Sequence, residues 1–428
     1  MRFFIKSYGC SSNLADSQTI TGCLLAAGYN QVNSIKEADI VIYNTCAVKG
    51  PTENRVISAI KKIPKKKKII ISGCLPLINF NRLEKETRFD GVTGPAPGEK
   101  IITLVQRVAN GEKIVDFDGN VDSKPVLCLP TKKSNPIVSV IPINYGCLGS
   151  CSYCCVVHAR GTLRSYSIED IIERLEIDLQ GGIKEVWLTS QDVGCYGLDI
   201  GTNILELLQA IFKIKEEFKI RLGMMNPNRV FPILHELINL FKNPKLFKFI
   251  HIPVQSGDNE VLMKMNRLYT KNYFKNIIKA FRNSIPTITF ATDVICGFPG
   301  ETSKAFENTL ELIKDTQPDI VNVSKFFGRP HTKAKEMKKE LVDMNEINNR
   351  SKIAAITSRQ ISFQRNKQWK GWIGDILVDE QGKFSGSWIG RNYAYKPIVI
   401  KSSESMLGKT INVKVTKPFP TYLSAKIC

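Results

Sequence analysis

Tyr145-Gly146-Cys147-Leu148-Gly149-Ser150-Cys151-Ser152-Tyr153-Cys154 sets three cysteines in one short loop, spaced by three residues and then two. The loop follows a predicted strand and precedes a predicted helix. Three thiolates converging there leave a coordination position open, because closed iron–sulfur and structural zinc sites take four ligands. A zinc loop completed by Cys155 or His158 is the alternative. Outward from this loop, residues 136–330 alternate strand and helix. Strand candidates are Ile137–Asn144, Glu185–Thr189, Arg221–Met225, Phe249–Val254, Thr287–Ile295 and Ile320–Phe326. Ser167–Gln180 is one of the amphipathic helices between them. It places Ile168, Ile171, Ile172, Leu175 and Leu179 on one face and opens with the capping-box pattern Ser167-Ile-Glu-Asp170. Six such units predict a partial (β/α)6 barrel in an α/β chain.

Residues 1–110 carry a second strand–helix alternation. Phe3–Tyr8, Asp39–Thr45 and Lys68–Ser72 read as strands, the last two as continuous apolar runs of the kind buried on both faces. Asn13 and Leu14–Ala27 suggest a capped helix stopped by Gly28. This is a doubly wound, parallel pattern. Cys10, Cys46 and Cys74 each stand just beyond one of the three strands. Such loops share the carboxyl edge of a parallel sheet, where ligands bind. Three distant cysteines therefore have a route to one point; three unrelated buried cysteines are the alternative.

Four regions follow: 1–110, a Gly-, Asp-, Pro- and Ser-rich linker at 111–135, the barrel with a Lys-rich helical connector at 136–364, and 365–428. In the last, Trp372–Val378, Phe384–Ile389, Pro397–Lys401, Lys409–Thr416 and Tyr422–Ile427 read as five short strands separated by turns. They predict a small antiparallel barrel of the kind that binds oligonucleotides.

Composition narrows the function. Sixty Lys and Arg against 40 Asp and Glu give a net charge of +20, which favours a polyanionic partner such as RNA. The run Lys65–Lys68 is most simply a solvated turn. Twelve cysteines with only four histidines favour thiolate metal sites. No stretch reaches the roughly 20 apolar residues of a membrane helix, and the start lacks a signal core, so a cytoplasmic protein is expected. Of the other cysteines, Cys23 reads as helix core. Cys128 falls in the linker and Cys428 at the terminus. Cys195 and Cys296 fit the barrel mouth, and Cys155 is expected to point away from the loop.

The Cys147, Cys151 and Cys154 motif, with Tyr153 before its last cysteine, resembles the radical S-adenosylmethionine superfamily. Adding Cys10, Cys46 and Cys74 makes the chain similar to the methylthiotransferase family, and the C-terminal strands resemble its TRAM domain. Tyr145–Tyr166, above all His158-Ala159-Arg160-Gly161, is similar to the threonylcarbamoyladenosine tRNA methylthiotransferases of archaea and eukaryotes. Trp187–Asp192, Arg221–Pro227, His251–Ser256 and Thr292–Glu301 match as well.

The resemblance implies two 4Fe-4S clusters, one on Cys10, Cys46 and Cys74, the other on Cys147, Cys151 and Cys154. It implies S-adenosylmethionine as methyl donor and radical source, beside Tyr153, Ser190, Gln191, Asp192, Gln255, Ser256 and Gly297. It implies a methylthio group placed on threonylcarbamoyladenosine next to the tRNA anticodon, with an external electron donor. Another modified adenosine, or a ribosomal protein, is the alternative substrate. Arg160, Lys383, Arg391, Lys396 and Lys414 are expected to contact RNA, with Lys401, Lys409 and Lys417 adding charge. Trp372, Trp388, Tyr393 and Tyr395 are candidates for base stacking, and the barrel core is their alternative place. Three departures stand out: Gly181-Gly182-Ile183 lacks an acidic residue common in the superfamily, His331 replaces a usual glycine, and Cys155 is unexpected. The anaerobically reconstituted protein is expected to hold about eight irons per chain and to absorb strongly in the visible. A non-catalytic RNA-binding protein would instead carry zinc and no colour, and metal analysis separates the two.

Overall fold

The computed structural model describes residues 1–48, 50–117 and 123–428. The first unit is a six-stranded sheet, parallel throughout. Its order is Asn30–Gln31, Arg2–Ser7, Ile40–Thr45, Lys68–Gly73, Gly91–Thr93 and Ile114–Asp116. Every residue of Ile40–Thr45 is buried, because alternate side chains face opposite helical layers. Ile40 and Ile42 pack with Ile20 and Leu24 of helix Ser11–Ala26 and with Leu104 and Val108 of helix Lys100–Ala109. Val41 and Tyr43 pack with Val56 and Ile60 of helix Gly50–Lys61 and with Leu75 and Leu83 of helix Cys74–Glu86. Each such aliphatic contributes about 1.5–3 kcal/mol when fully buried. The sixth strand lies inside the segment read as a linker. The central part of that segment, 118–122, lies outside the described residues.

The second unit is the partial barrel. Val138–Pro142, Glu185–Thr189 and Lys219–Leu222 form one parallel sheet, and Phe249–His251, Thr289–Cys296 and Ile320–Lys325 form another. Bridges Ile220–Leu246 and Met224–His251 join the two. The fourth strand stops earlier than the sequence suggests because Pro253 has no N–H for a ladder. The third ends before Gly223, so that Asn226 swings in to donate to Asp192 at 2.6 Å. Ser167 caps helix Ile168–Gln180, its Oγ accepting from the Asp170 N–H at 3.1 Å.

Helix Met344–Lys367, capped by Asp343, leads into a closed barrel of five strands: Ile373–Gln381, Ser387–Arg391, Pro397–Lys401, Leu423–Ile427 and Thr410–Pro418. This barrel plugs the lower end of the larger one. Tyr395, held at φ +58°, sets its ring against Phe247 and Phe249, at 4.7 and 5.2 Å between centroids. Its hydroxyl donates to Glu185 Oε1 at 3.1 Å, which also accepts from Trp187 Nε1 at 2.6 Å. Above this contact lies a cavity of about 450 Å³ lined from all three units, by Leu14 and Gln18, Trp187 and Arg221, and Asp379 and Tyr395.

Burial, and then the nearby Asp379 carboxylate, push the Glu185 carboxyl up from 4.5 to about 7. The folded chain therefore holds an extra proton between those values, and stability falls as pH rises through that window. Glu185→Gln keeps the acceptor for Tyr395 and Trp187 and removes the charge. It is expected to raise the thermal midpoint at pH 8, by the equivalent of about 1–3 kcal/mol, with little change at pH 5. Thermal melts at the two values check this.

Candidate active site

Strand register assembles the first cysteine set. Ser7 pairs with Asn44 and Asn44 with Ser72, so the three strands end level. Cys10, Cys46 and Cys74 follow that row by three, two and two residues. Cys10 precedes helix Ser11–Ala26 and Cys74 opens helix Cys74–Glu86. The turn into Cys74 needs Gly73 at φ +100°, where a Cβ would meet Thr45 O at 2.3 Å. Cys10 is exposed, Cys46 half-buried and Cys74 buried. Burial raises the Cys46 thiol, and it pushes Cys74 up to about 12 against the pull of the Arg160 guanidinium. Cys10 adds to the rise at Cys46, and Cys46 and Cys10 add to the rise at Cys74.

The second set lies on the loop after the first barrel strand. Gly146, at φ +75°, passes so close to Thr162 O that a Cβ would sit 1.7 Å from it. The Gly149 N–H donates to Cys147 Sγ at 3.2 Å. A Cβ on Gly149 would lie 3.3 Å from Cys147 Sγ and 3.7 Å from Cys151 Sγ, so this glycine keeps the ground between the two sulfurs clear. A hydrogen bond from Cys195 is the chief cause holding the Cys147 thiol below its usual range, while burial pushes Cys154 up to about 12. Arg267 Nη1 donates to Cys151 Sγ at 3.2 Å and to Asn226 Oδ1 at 2.6 Å. Among the described residues, no group of three or more His, Cys, Asp and Glu side chains suits a single metal ion. A four-iron cube carries each thiolate on a separate iron and wants them spread around a space. Two sets of three cysteines, each beside a guanidinium group, fit that demand.

The two cysteine-bearing units meet at a buried seam. Arg160 Nη2 donates to Asp16 Oδ2 at 2.5 Å, and Tyr145 OH donates to Asp16 Oδ1 at 3.0 Å. Arg329 pairs with Glu53, and each of the four charged side chains is 2% exposed or less. Ser11 meets Thr189 at 2.6 Å. Cys155 turns away from its own loop, as expected, and its Sγ donates to Ala47 O at 3.7 Å. There it packs with Cys74. His331 adopts φ +63°, the left-handed backbone that explains why glycine is usual there.

The residues expected at S-adenosylmethionine divide by their partners. Ser190 Oγ and Gln191 Oε1 are buried without partners among the described residues, free for a bound molecule. Tyr153 is half-buried, edge-on to Phe298, with Arg267 over its ring. Asp192 is occupied: it accepts from Gly194 N, Asn226 N and Asn226 Nδ2, and Cys195 Sγ lies 3.3 Å from it. Ser256 is fully buried and accepts from Asp258 N. Gln255, at φ +69°, and Gly297, at φ +77°, form the turns after their strands. Sequence reasoning missed Asn144, 1% exposed with neither side-chain atom partnered among the described residues, and Arg267, which has no motif and reaches Cys151 from 116 residues away.

The expected RNA contacts divide similarly. Lys383 and Lys414 are exposed. Arg391 pairs with Asp379 at 2.9 Å. Arg160 is instead buried at the seam. Lys396 is 4% exposed and joins Asp319 and Asn366 at 2.8 and 3.0 Å, so both serve domain packing. Tyr395 belongs to the barrel plug, Trp372 and Trp388 pack on the small barrel's core, and Tyr393 is 39% exposed. Phe384, 74% exposed, is the stacking candidate that alternation hid inside a predicted strand.

Comparison with known proteins agrees with this layout. Residues 2–94 match the uncharacterized protein family UPF0004, 141–313 the radical SAM superfamily and 370–428 the TRAM domain. Over 429 residues the chain is 38% identical to a probable threonylcarbamoyladenosine tRNA methylthiotransferase of Pyrococcus horikoshii, covering 100% of this chain and 99% of that one. It is 33% identical to the Homo sapiens threonylcarbamoyladenosine tRNA methylthiotransferase, over 97% of this chain and 72% of that protein. The fold is similar to the radical S-adenosylmethionine methyltransferase TsrM of Kitasatospora setae, with TM-score 0.54 at 15% identity, covering 78% of this chain and 73% of TsrM. The fold and the cysteine loop define a radical S-adenosylmethionine enzyme. Within that class, the chain belongs to the threonylcarbamoyladenosine tRNA methylthiotransferase family.

Removing one member of a buried pair strands the other charge. Asp16→Ala is therefore expected to destabilise the fold by about 3–5 kcal/mol, measured by urea denaturation. Asp39→Ala, at an exposed pair with Arg2, is expected to change stability by under about 1 kcal/mol.

Proposed function

We propose that this tRNA methylthiotransferase acts at C2 of N6-threonylcarbamoyladenosine next to the anticodon and yields the 2-methylthio product. The observation that carries the reading is a chain matching the family over its whole length, its two cysteine-bearing units joined by buried ion pairs. Two 4Fe-4S clusters with S-adenosylmethionine, when bound, supply radical and methyl-transfer chemistry. Cys10, Cys46 and Cys74 would hold one cluster, and Cys147, Cys151 and Cys154 the other. Ser190 and Gln191 offer unused polar atoms to S-adenosylmethionine, as does Asn144. Tyr153, Gln255, Ser256, Asp192 and Gly297 shape the wall around it.

The C-terminal barrel would grip the anticodon stem-loop. Lys383 and Lys414 meet phosphates, and Phe384 offers a ring to an unstacked base. Arg391 and Lys396 hold the grip in place from inside. No helix among the described residues is long and apolar enough to cross a membrane. We place the reaction in the cytoplasm, where thiols stay reduced and an external donor delivers electrons.

The test is nucleoside mass spectrometry. The reconstituted protein is given reductant, S-adenosylmethionine, sulfide and tRNA carrying threonylcarbamoyladenosine. One methylthio group gained on that nucleoside, and lost with Cys10→Ala or Cys147→Ala, is the expected result. Ready cleavage of S-adenosylmethionine to 5′-deoxyadenosine without product would overturn the substrate assignment and leave the radical chemistry standing.

A further inference from the structure

Arg160 and Arg329 both belong to the barrel unit, yet both are anchored by carboxylates of the N-terminal unit. Neither anchor uses the whole guanidinium. Among the described residues, Arg160 Nη1 and Arg329 Nε and Nη2 are buried and find no acceptor. A buried, charged N–H without a partner costs roughly 1–3 kcal/mol or more, so a native fold that keeps three of them has an acceptor in mind. The groups beside them are thiols. Arg160 stands beside Cys74, with Cys10 within reach of its charge; Arg329 stands beside Cys155, with Cys46 within reach of its charge. At the barrel rim Arg267 likewise donates to Cys151 and keeps an unpartnered Nε, but there the buried Asp192 carboxylate stands beside Cys147.

We infer that Arg160 and Arg329 are positioning residues whose free N–H groups donate to the sulfurs of the N-terminal cluster and raise its potential. This rests on the assignment of Cys10, Cys46 and Cys74 as cluster ligands. A cluster on three thiolates is anionic and gains a further negative charge on reduction. Donors aimed at its sulfurs stabilise the reduced form more than the oxidised one, and hydrogen bonds to sulfur are among the features that set such potentials. The carboxylates Asp16 and Glu53 bind the far sides of the guanidiniums and fix their direction.

The test uses the full chain with Cys147, Cys151 and Cys154 all changed to Ala, so that the N-terminal cluster is read alone. Iron content and an electron-paramagnetic-resonance redox titration are the measurements. About four irons per chain are expected in this parent. The double change Glu53→Gln with Arg329→Met removes the donors without stranding a buried charge, and it is expected to shift the midpoint to more negative potential with iron retained. Arg160→Lys keeps a cation for Asp16 but has fewer, differently directed donors. It is expected to shift the midpoint the same way, by less, and gives a second reading should the double variant fail to fold. An unchanged midpoint with four irons in place overturns the inference. Absence of iron from the parent overturns the ligand assignment instead.

Discussion

Two buried guanidinium–carboxylate pairs, Arg160–Asp16 and Arg329–Glu53, stand at the centre of this molecule. Taking four charges out of water is costly, and the cost is met only where geometry is good and further hydrogen bonds are made. Tyr145 gives Asp16 a second donor. Arg82 and Asn79 give Glu53 two more. Such pairs are weak sources of net stability. Their value here is registration, because each pair joins a barrel guanidinium to an N-terminal carboxylate. The N-terminal sheet edge is thereby fixed against the barrel mouth.

Local rules carried the sequence a long way. The buried strands Ile40–Thr45 and Lys68–Gly73 and the loop Cys147–Cys154 follow from period, length and spacing, and all are near where those features put them. So does the edge that unites Cys10, Cys46 and Cys74, since parallel strands put their following loops on one side. What stayed hidden is long-range. Arg267 reaches Cys151, and Asp16 reaches Arg160, through contacts that no local pattern encodes. Residue type also misled: Arg160 and Lys396 look like phosphate ligands in a chain of net charge +20, but each finds a buried acid. Phe384 is the reverse case, an apolar residue in a predicted strand that falls in the turn before Ser387–Arg391.

The cysteine dipeptide Cys154-Cys155 draws the two halves of the site together. Cys154 neighbours Cys151 and Cys147, whereas the next residue neighbours Cys46 and Arg329. Helix Val156–Arg160 then starts at once and ends on the arginine that meets Asp16. One short segment thus serves the barrel rim with its first residue and the N-terminal rim with its last.

The plug formed by Tyr395 has a bearing on how such a chain came to be assembled. A nucleic-acid-binding barrel strung on a flexible tether can be traded between enzymes with little penalty. This one cannot, because its Tyr395, Lys396 and Arg391 complete the floor of the catalytic barrel, and its loss would bare Phe247, Phe249 and the carboxyls of Glu185 and Asp319. Grip and chemistry are therefore inherited as one piece, and any recombination that replaces the former must rebuild the underside of the latter.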